Sequence, residues 1–182
     1  LRLDLSESSI EPIGLKALSS GIKMSCSIRT LSLRANPLCN VNSFAWGRFD
    51  VSGFEAFTDA LRMSVSLEFL NLGECQLVGY NKNGEGDYNA LALLHLVSAL
   101  KWNKTLRQLD LSDNYIFQAG GRPLVEDIMR DGHFKFYEKL DKGNRIYCML
   151  RRNMDDIMRE RKADFAFLEL FWLPSKRSQL DD

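Results

Sequence analysis

One eleven-residue pattern occurs three times in this chain and leaves few folds open to it. Ile28, Leu31, Leu33, Asn36 and Leu38 make the first window. Leu67, Leu70, Leu72, Cys75 and Leu77 make the second, and Leu106, Leu109, Leu111, Asn114 and Ile116 the third. Each reads L-x-x-L-x-L-x-x-N/C-x-L, with Leu or Ile in every apolar slot. A truncated window stands at the start, with Leu3, Leu5, Ser8 and Ile10, and its first apolar slot would fall one residue before Leu1. The L-x-L alternation puts two leucines on one face of a strand, pointing into a core, and turns the residues between them to the opposite face. The Asn or Cys slot takes the chain out of the strand.

Helical patterns lie between the windows in a constant frame. Gly14, Ala17, Leu18, Gly21 and Ile22 precede Ile28, and Gly53, Ala56, Phe57, Ala60 and Leu61 precede Leu67 at the same offsets. Ala92, Leu96, Ala99 and Leu100 precede Leu106 likewise. This spacing makes an apolar stripe facing the strands, and the small residues let neighbouring helices approach. A fourth helix is expected over 122–130, with Pro123 in its first turn and Gly132 beyond its end. The windows are 28 residues apart at first and then 39 and 39. Because the helix offsets before each strand are unchanged, about 11 extra residues must follow each strand, near 39–52 and 78–91. Both insertions therefore emerge from the same edge, side by side.

The stretch A-L-K-W-N-K-T-L-R-Q-L-D-L-S-D-N-Y-I, residues 99–116, resembles the leucine-rich repeats of the ribonuclease-inhibitor-like subfamily. The resemblance covers residues 1–132, about four repeats. It implies an α/β solenoid, with parallel strands on a concave face and helices on the convex face. It also implies that the Asn slot bonds neighbouring backbone in a continuous ladder, with Cys75 as a weaker donor and Ser8 a poorer substitute. The usual period of that subfamily is about 28 residues, so the insertions are departures from it.

From residue 133 the pattern stops, because the next frame would put Lys139 in a core slot. Residues 133–182 are expected to form a mainly helical segment that caps the last repeat or binds a partner. Phe134, Phe136, Glu138 and Leu140 alternate, 141–144 reads as a turn, and 145–150 supplies a second strand of a hairpin. The rival is one helix over 144–172, with Ile146, Leu150, Ile157, Phe165, Leu168 and Trp172 as its stripe. A helix over 154–171 is expected under either reading. The apolar run Phe165, Phe167, Leu168, Leu170, Phe171, Trp172 and Leu173 needs cover. The basic cluster Arg151, Arg152, Arg159, Arg161 and Lys162, broken by Asp155, Asp156 and Glu160, reads as a solvated face.

Signatures of chemistry are missing from the sequence. There is no phosphate loop, no G-x-G-x-x-G after a strand and no G-x-S-x-G elbow. Residues 81–87 resemble a calcium loop, but position 12 of that frame is Ala92 where a bidentate Glu is required, so they read as a Gly-rich insertion. Cys26, Cys39, Cys75 and Cys148 form no C-x-x-C pair, and His95 and His133 lie far from them in sequence. They read as reduced, buried or half-buried thiols of an intracellular protein, and His95 as a boundary residue. No metal or cofactor is expected. Lys+Arg and Asp+Glu balance at 24 each, so no bulk attraction to nucleic acid or to an anionic membrane is expected. No apolar run is long enough to span a bilayer, and no signal peptide is visible. The chain begins without Met inside a strand pattern, so upstream sequence is expected.

These features point to protein–protein interaction. The outward strand positions define a binding face with Asp4, Glu7, Ser32, Arg34, Phe69, Asn71, Glu74, Asp110 and Asp113, alongside Arg2, Ser6, Thr30, Ala35, Gly73, Gln108 and Ser112. Acids outnumber bases five to two, which suits a basic or neutral partner. The insertions add Phe44, Trp46, Phe49, Tyr80 and Tyr88, which serve either as interface anchors or as cover folded back on the edge. The expected role is a non-catalytic scaffold or interaction module in a multi-subunit assembly, cytoplasmic or cytoskeletal. The alternatives are a regulatory recognition module of a receptor-like protein, and a RanGAP-like GTPase activator using Arg34.

Overall fold

The computed structural model describes residues 1–81, 83–116, 123–124 and 126–127, together with the backbone of two later strands. One short strand rises from each window: β1 (Arg2–Asp4), β2 (Thr30–Ser32), β3 (Phe69–Asn71) and β4 (Gln108–Asp110). They lie parallel in chain order, with Leu3, Leu31, Leu70 and Leu109 opposite one another. Hydrogen bonding continues past the strands. The Leu5 N–H donates to the Ser32 carbonyl, Leu33 to Asn71 and Leu72 to Asp110, each at 2.9 Å. The second leucine of each pair is thereby held in the same stack.

Helices α1 (Pro12–Met24), α2 (Ser52–Met63) and α3 (Leu91–Trp102) cover the leucine face and pack in chain order. Leu15, Phe54, Phe57, Leu61, Leu93 and Leu96 join the strand leucines in one core. Leu31, Leu33, Leu70, Leu72, Leu109 and Leu111 are almost wholly removed from solvent, and each such burial stabilises by about 1.5–3 kcal/mol. Leu3 and Leu5 are only half-buried because β1 is an edge strand. Gly53 brings α2 onto α1: a Cβ there would stand 2.2 Å from the Pro12 carbonyl oxygen.

Each helix ends at an extended polar residue in an equivalent slot: Ser25, Ser64 and Asn103. Their side chains accept from the backbone that leads into the next strand. Ser25 Oγ accepts from Ile28 N (3.1 Å), Ser64 Oγ from Leu67 N (3.2 Å) and Asn103 Oδ1 from Leu106 N (2.7 Å). One device thus turns helix into strand three times.

Beyond β4 the backbone forms a hairpin, β5 (Phe134–Leu140) and β6 (Ile146–Arg152). β6 pairs antiparallel with β4, with Leu109 opposite Leu150, so the sheet order is β1-β2-β3-β4-β6-β5. This corrects the helical rival over 144–172: residues 146–152 are strand, their backbone hydrogen-bonded across to β4 and β5. The mainly helical character expected of 133–182 gives way to strand in these two stretches, and the sheet crosses the boundary expected at residue 132. Leu1–Arg152 is one compact unit. Residues 123, 124, 126 and 127 are helical. The rest of the helix expected over 122–130 lies outside the described residues. So do the helix expected over 154–171, the apolar run after Phe165, and Arg159, Arg161 and Lys162. Among the described residues no helix is long and apolar enough to cross a membrane.

Candidate interaction surface

The strand register fixes two rows on the face turned away from the helices: Arg2, Thr30, Phe69 and Gln108, then Asp4, Ser32, Asn71 and Asp110. The second row is less available than alternation implied. Asp4 is exposed, but Ser32, Asn71 and Asp110 are buried. In Asp4, Asn71 and Asp110 a side-chain oxygen serves the turn that follows the strand. Asp4 Oδ1 accepts from Ser6 N (3.1 Å), Asn71 Oδ1 from Gly73 N (2.8 Å) and Asp110 Oδ1 from Ser112 N (2.9 Å). Ser32 shares a 2.7 Å hydroxyl contact with Ser6. Burial pushes the Asp110 carboxyl above its ordinary 3.8, opposed by the bonds from Ser112. The exposed Asp4 is held below 3.8 chiefly by the Ser6 hydroxyl. Phe69 is half-buried on the open face.

The next row, Glu7, Ala35, Glu74 and Asp113, takes left-handed backbone in every repeat, at φ 55°, 56°, 55° and 56°. Arg34 lies across it. Its guanidinium reaches Glu7 Oε1 at 3.2 Å and also pairs with Glu74. One arginine thereby ties three repeats together and neutralises part of the expected acidic field. At the other end of the strands Arg29 and Arg107 flank the buried Glu68.

Behind this row stands the Asn ladder. Asn36 Oδ1 accepts from Ser8 N (3.0 Å) and Ile10 N (2.9 Å), while its Nδ2 donates to the Leu5 and Leu33 carbonyls at 2.8 Å. Asn114 does the same for Cys75 N, Leu77 N, and the Leu72 and Leu111 carbonyls. Cys75 fills the slot between them as a donor, its Sγ 3.3 Å from the Leu33 carbonyl oxygen. Burial pushes the Cys75 thiol up to about 12 and raises Cys39 further still. Both stay protonated and unreactive at neutral pH. Cys26, in contrast, is exposed, which departs from the buried or half-buried expectation.

The two insertions follow the ladder. They begin after Cys39 and Val78, which are core residues, and they are copies of one loop. Asn42 Oδ1 accepts from Phe44 N (3.0 Å) and Trp46 N (3.1 Å); Asn81 Oδ1 accepts from Asn83 N (2.9 Å) and Glu85 N (3.0 Å). The Asn42 N–H donates to the Trp46 carbonyl and the Asn81 N–H to the Glu85 carbonyl, both at 3.0 Å. The loops close alike, with Asp50 N on the Cys39 carbonyl and Asn89 N on the Val78 carbonyl, again at 3.0 Å. Gly47 and Gly86 sit at φ 124° and 118°, conformations L side chains rarely adopt, and a Cβ would stand 1.8 Å from Asn40 O or 2.1 Å from Gly79 O. The loops also touch: a Cβ on Gly86 would lie 3.1 Å from that of Ala45.

The loop aromatics divide. Phe49 and Tyr80 pack against the core as cover. Phe44 and Trp46 are 66% and 72% exposed and pair with each other at 5.6 Å, while Tyr88, 43% exposed, leans on Tyr80 at 6.0 Å. Sequence reasoning treated the loops as extra residues on a 28-residue repeat, weighed 81–87 against a calcium loop alone, and so passed over Asn42 and the turn-capping role it shares with Asn81. Aligning the insertions at an offset of 39 would have found them, since Asn42, Gly47, Phe49 and Asp50 then meet Asn81, Gly86, Tyr88 and Asn89.

Among the described residues no group of three His, Cys, Asp or Glu is placed to hold a metal ion. A family model described as Leucine Rich repeat matches residues 103–125. That span contains the third window, so the chain carries a leucine-rich repeat there. Such repeats are generally non-catalytic and mediate contact between proteins. No curated protein and no solved structure matches the chain.

Proposed function

We propose that this chain is a leucine-rich-repeat solenoid of the ribonuclease-inhibitor-like type. In this reading it is a non-catalytic scaffold or interaction module that holds a protein partner within a larger intracellular assembly, cytoplasmic or cytoskeletal. Residues 133–182 serve as its cap or as a second partner-binding segment. The observation that carries the interaction role is the pair of loops. The second makes the same backbone bonds with Asn83 and Glu85 in the slots of Phe44 and Trp46. The loop therefore does not need two large exposed aromatics, and exposed aromatics that the fold does not need are what interface anchors look like. The free Cys26, Cys39 and Cys75 fit a reducing compartment.

The binding surface in this reading joins the loop tips to Asp4, Glu7, Glu74, Asp113 and Phe69. Ser32, Asn71 and Asp110 contribute by shaping the turns. The GTPase-activator reading has less support, because Arg34 is engaged by Glu7 and Glu74 on both sides. Cross-linking followed by mass spectrometry on the native assembly tests the proposal. Cross-links from the insertions to another protein should be present in the wild-type chain. They should vanish in a chain carrying Phe44→Asn with Trp46→Gln whose melting temperature is unchanged. Undiminished cross-links in that variant would remove the loops from the interface.

A further inference from the structure

Beyond the loops, we infer that the C-terminal ends of the three helices form a second docking surface, which takes an acidic amphipathic helix of a partner protein laid across them. Met24, Met63 and Trp102 close α1, α2 and α3 in the same slot of the repeat, 39 positions apart. All three are exposed, at 84%, 55% and 63%. The chain leaves each helix alike, with ψ of 129°, 132° and 130° at Ser25, Ser64 and Asn103. Hydrogen bonds tie the ends side by side. Ser66 Oγ donates to the Ser25 carbonyl and Thr105 Oγ1 to the Ser64 carbonyl, both at 3.2 Å, and Asn103 Nδ2 donates to the Leu61 carbonyl at 2.7 Å. The three apolar residues therefore stand in one row.

Charge and spacing select the occupant. The stretches 20–29, 59–68 and 98–107 carry the chain from helix to strand and hold six cations, Lys23, Arg29, Arg62, Lys101, Lys104 and Arg107. Two acids stand against them: Asp59, paired with Arg62 at 3.4 Å, and Glu68, buried between Arg29 and Arg107. This edge is thus positive in a chain of zero net charge. A lysine or arginine directly precedes each residue of the apolar row, and Lys104 Nζ lies 3.4 Å from the Lys101 carbonyl oxygen, over the end of α3. Cations at helix C-termini answer the helix dipole, but a large exposed apolar side chain beside each of them does not. An acidic partner is drawn to this edge and a basic one repelled. Packed helices stand about 8–10 Å apart, and seven residues advance a helix by about 10.5 Å. One helix laid across the row therefore meets Met24, Met63 and Trp102 with every seventh side chain. A single row of this kind fits a rod better than the broad face that a membrane surface would cover.

The test is a fluorescence anisotropy titration of the whole chain. The probe is a labelled Ala-Glu helix of about six turns that carries three leucines seven positions apart. One control peptide has Lys in place of Glu, and the other keeps the composition but sets the leucines five positions apart. The acidic heptad peptide should bind about tenfold more tightly than either control. Met63→Gln with Trp102→Gln should weaken it about tenfold and Lys101→Gln about threefold, with melting temperatures unchanged because these side chains are exposed. Phe44→Asn with Trp46→Gln should bind the peptide as the wild-type chain does, so this result is independent of the cross-linking at the loops. Equal binding of the three peptides, or no binding of any, overturns the helical occupant. So does binding to phosphatidylserine vesicles that is lost with Met63→Gln and Trp102→Gln while the peptide fails to bind. Full binding by that double variant, or loss of binding in the loop variant, overturns the site.

Discussion

Residues 40–50 and 79–89 trace the same loop 39 positions apart, yet one carries Phe44 and Trp46 at its tip and the other Asn83 and Glu85. The difference separates what builds the loop from what the loop is used for. The backbone answers to an asparagine that accepts two amides and to a glycine at φ near 120°. The tip side chains answer to neither. The 39-residue spacing is therefore not a 28-residue repeat with padding. It is a strand, a built loop and a helix, used twice.

The sharpest way to break this comparison is at the glycines. Gly47→Ala and Gly86→Ala put a Cβ about where a carbonyl oxygen stands, in a conformation that disfavours it. Each should lower stability by about 3 kcal/mol or more, read from denaturant midpoints. Gly84→Ala is the control. Its φ is 77°, nothing lies within 4 Å of the new Cβ, and Ala45 already occupies the matching slot at φ 62°. A cost below about 1 kcal/mol is expected there. Equal losses at Gly84 and Gly86 would mean that backbone crowding does not distinguish the two positions.

The asparagines come next. Asn81 is buried and Asn42 half-buried, and each caps two amides of its own loop. Asn81→Ala should cost about 2 kcal/mol and Asn42→Ala about 1 kcal/mol, because water replaces the lost bonds more easily at the exposed loop. Hydrogen exchange should quicken at Asn83 and Glu85 in the first variant, and at Phe44 and Trp46 in the second. A change confined to the tips, with the closing amides of Asp50 and Asn89 still protected, would place the asparagine at the turn alone.

Much of the fold was legible because leucine spacing and burial report the same thing. Leu31 and Leu33, Leu70 and Leu72, and Leu109 and Leu111 stack as their alternation requires. The loops were not legible as structure, since an amide acceptor and a glycine carry no apolar period. The surface was half legible. Alternation tells which face Ser32, Asn71 and Asp110 take, but not that Asn71 and Asp110 would be drawn under by bonds to their own turns and Ser32 by its contact with Ser6. Nor does it show Arg34 reaching Glu7 and Glu74, 27 and 40 positions away. The hairpin β5–β6 stayed open beside a helix because Ile146 and Leu150 satisfy either period, and backbone pairing with β4 decides it.

The smallest effects concern acids and amides that share a slot, and there the sign matters more than the size. Asp110 and Asn71 both cap the residue two positions on. Burial raises the Asp110 carboxyl above 3.8, so the folded state favours its protonated form. Its contribution is fully present below pH 3.8 and is lost as pH rises through the raised value. Asp110→Asn should therefore raise the melting temperature at pH 7 and leave it unchanged near pH 3. Asp50 and Asn89 form the opposite pair, each accepting at 2.9 Å from the residue two on. The Ser52 bonds hold the Asp50 carboxyl below 3.8, so its contribution is present above pH 3.8 and is lost as pH falls through the lowered value. Asp50→Asn should slightly reduce stability at pH 7 and flatten its decline in acid, since Asn89 does the same work without titrating. The two curves should bend in opposite directions. If both variants stabilise at neutral pH, burial does not set the difference, and shedding a negative charge from an acidic surface becomes the better account.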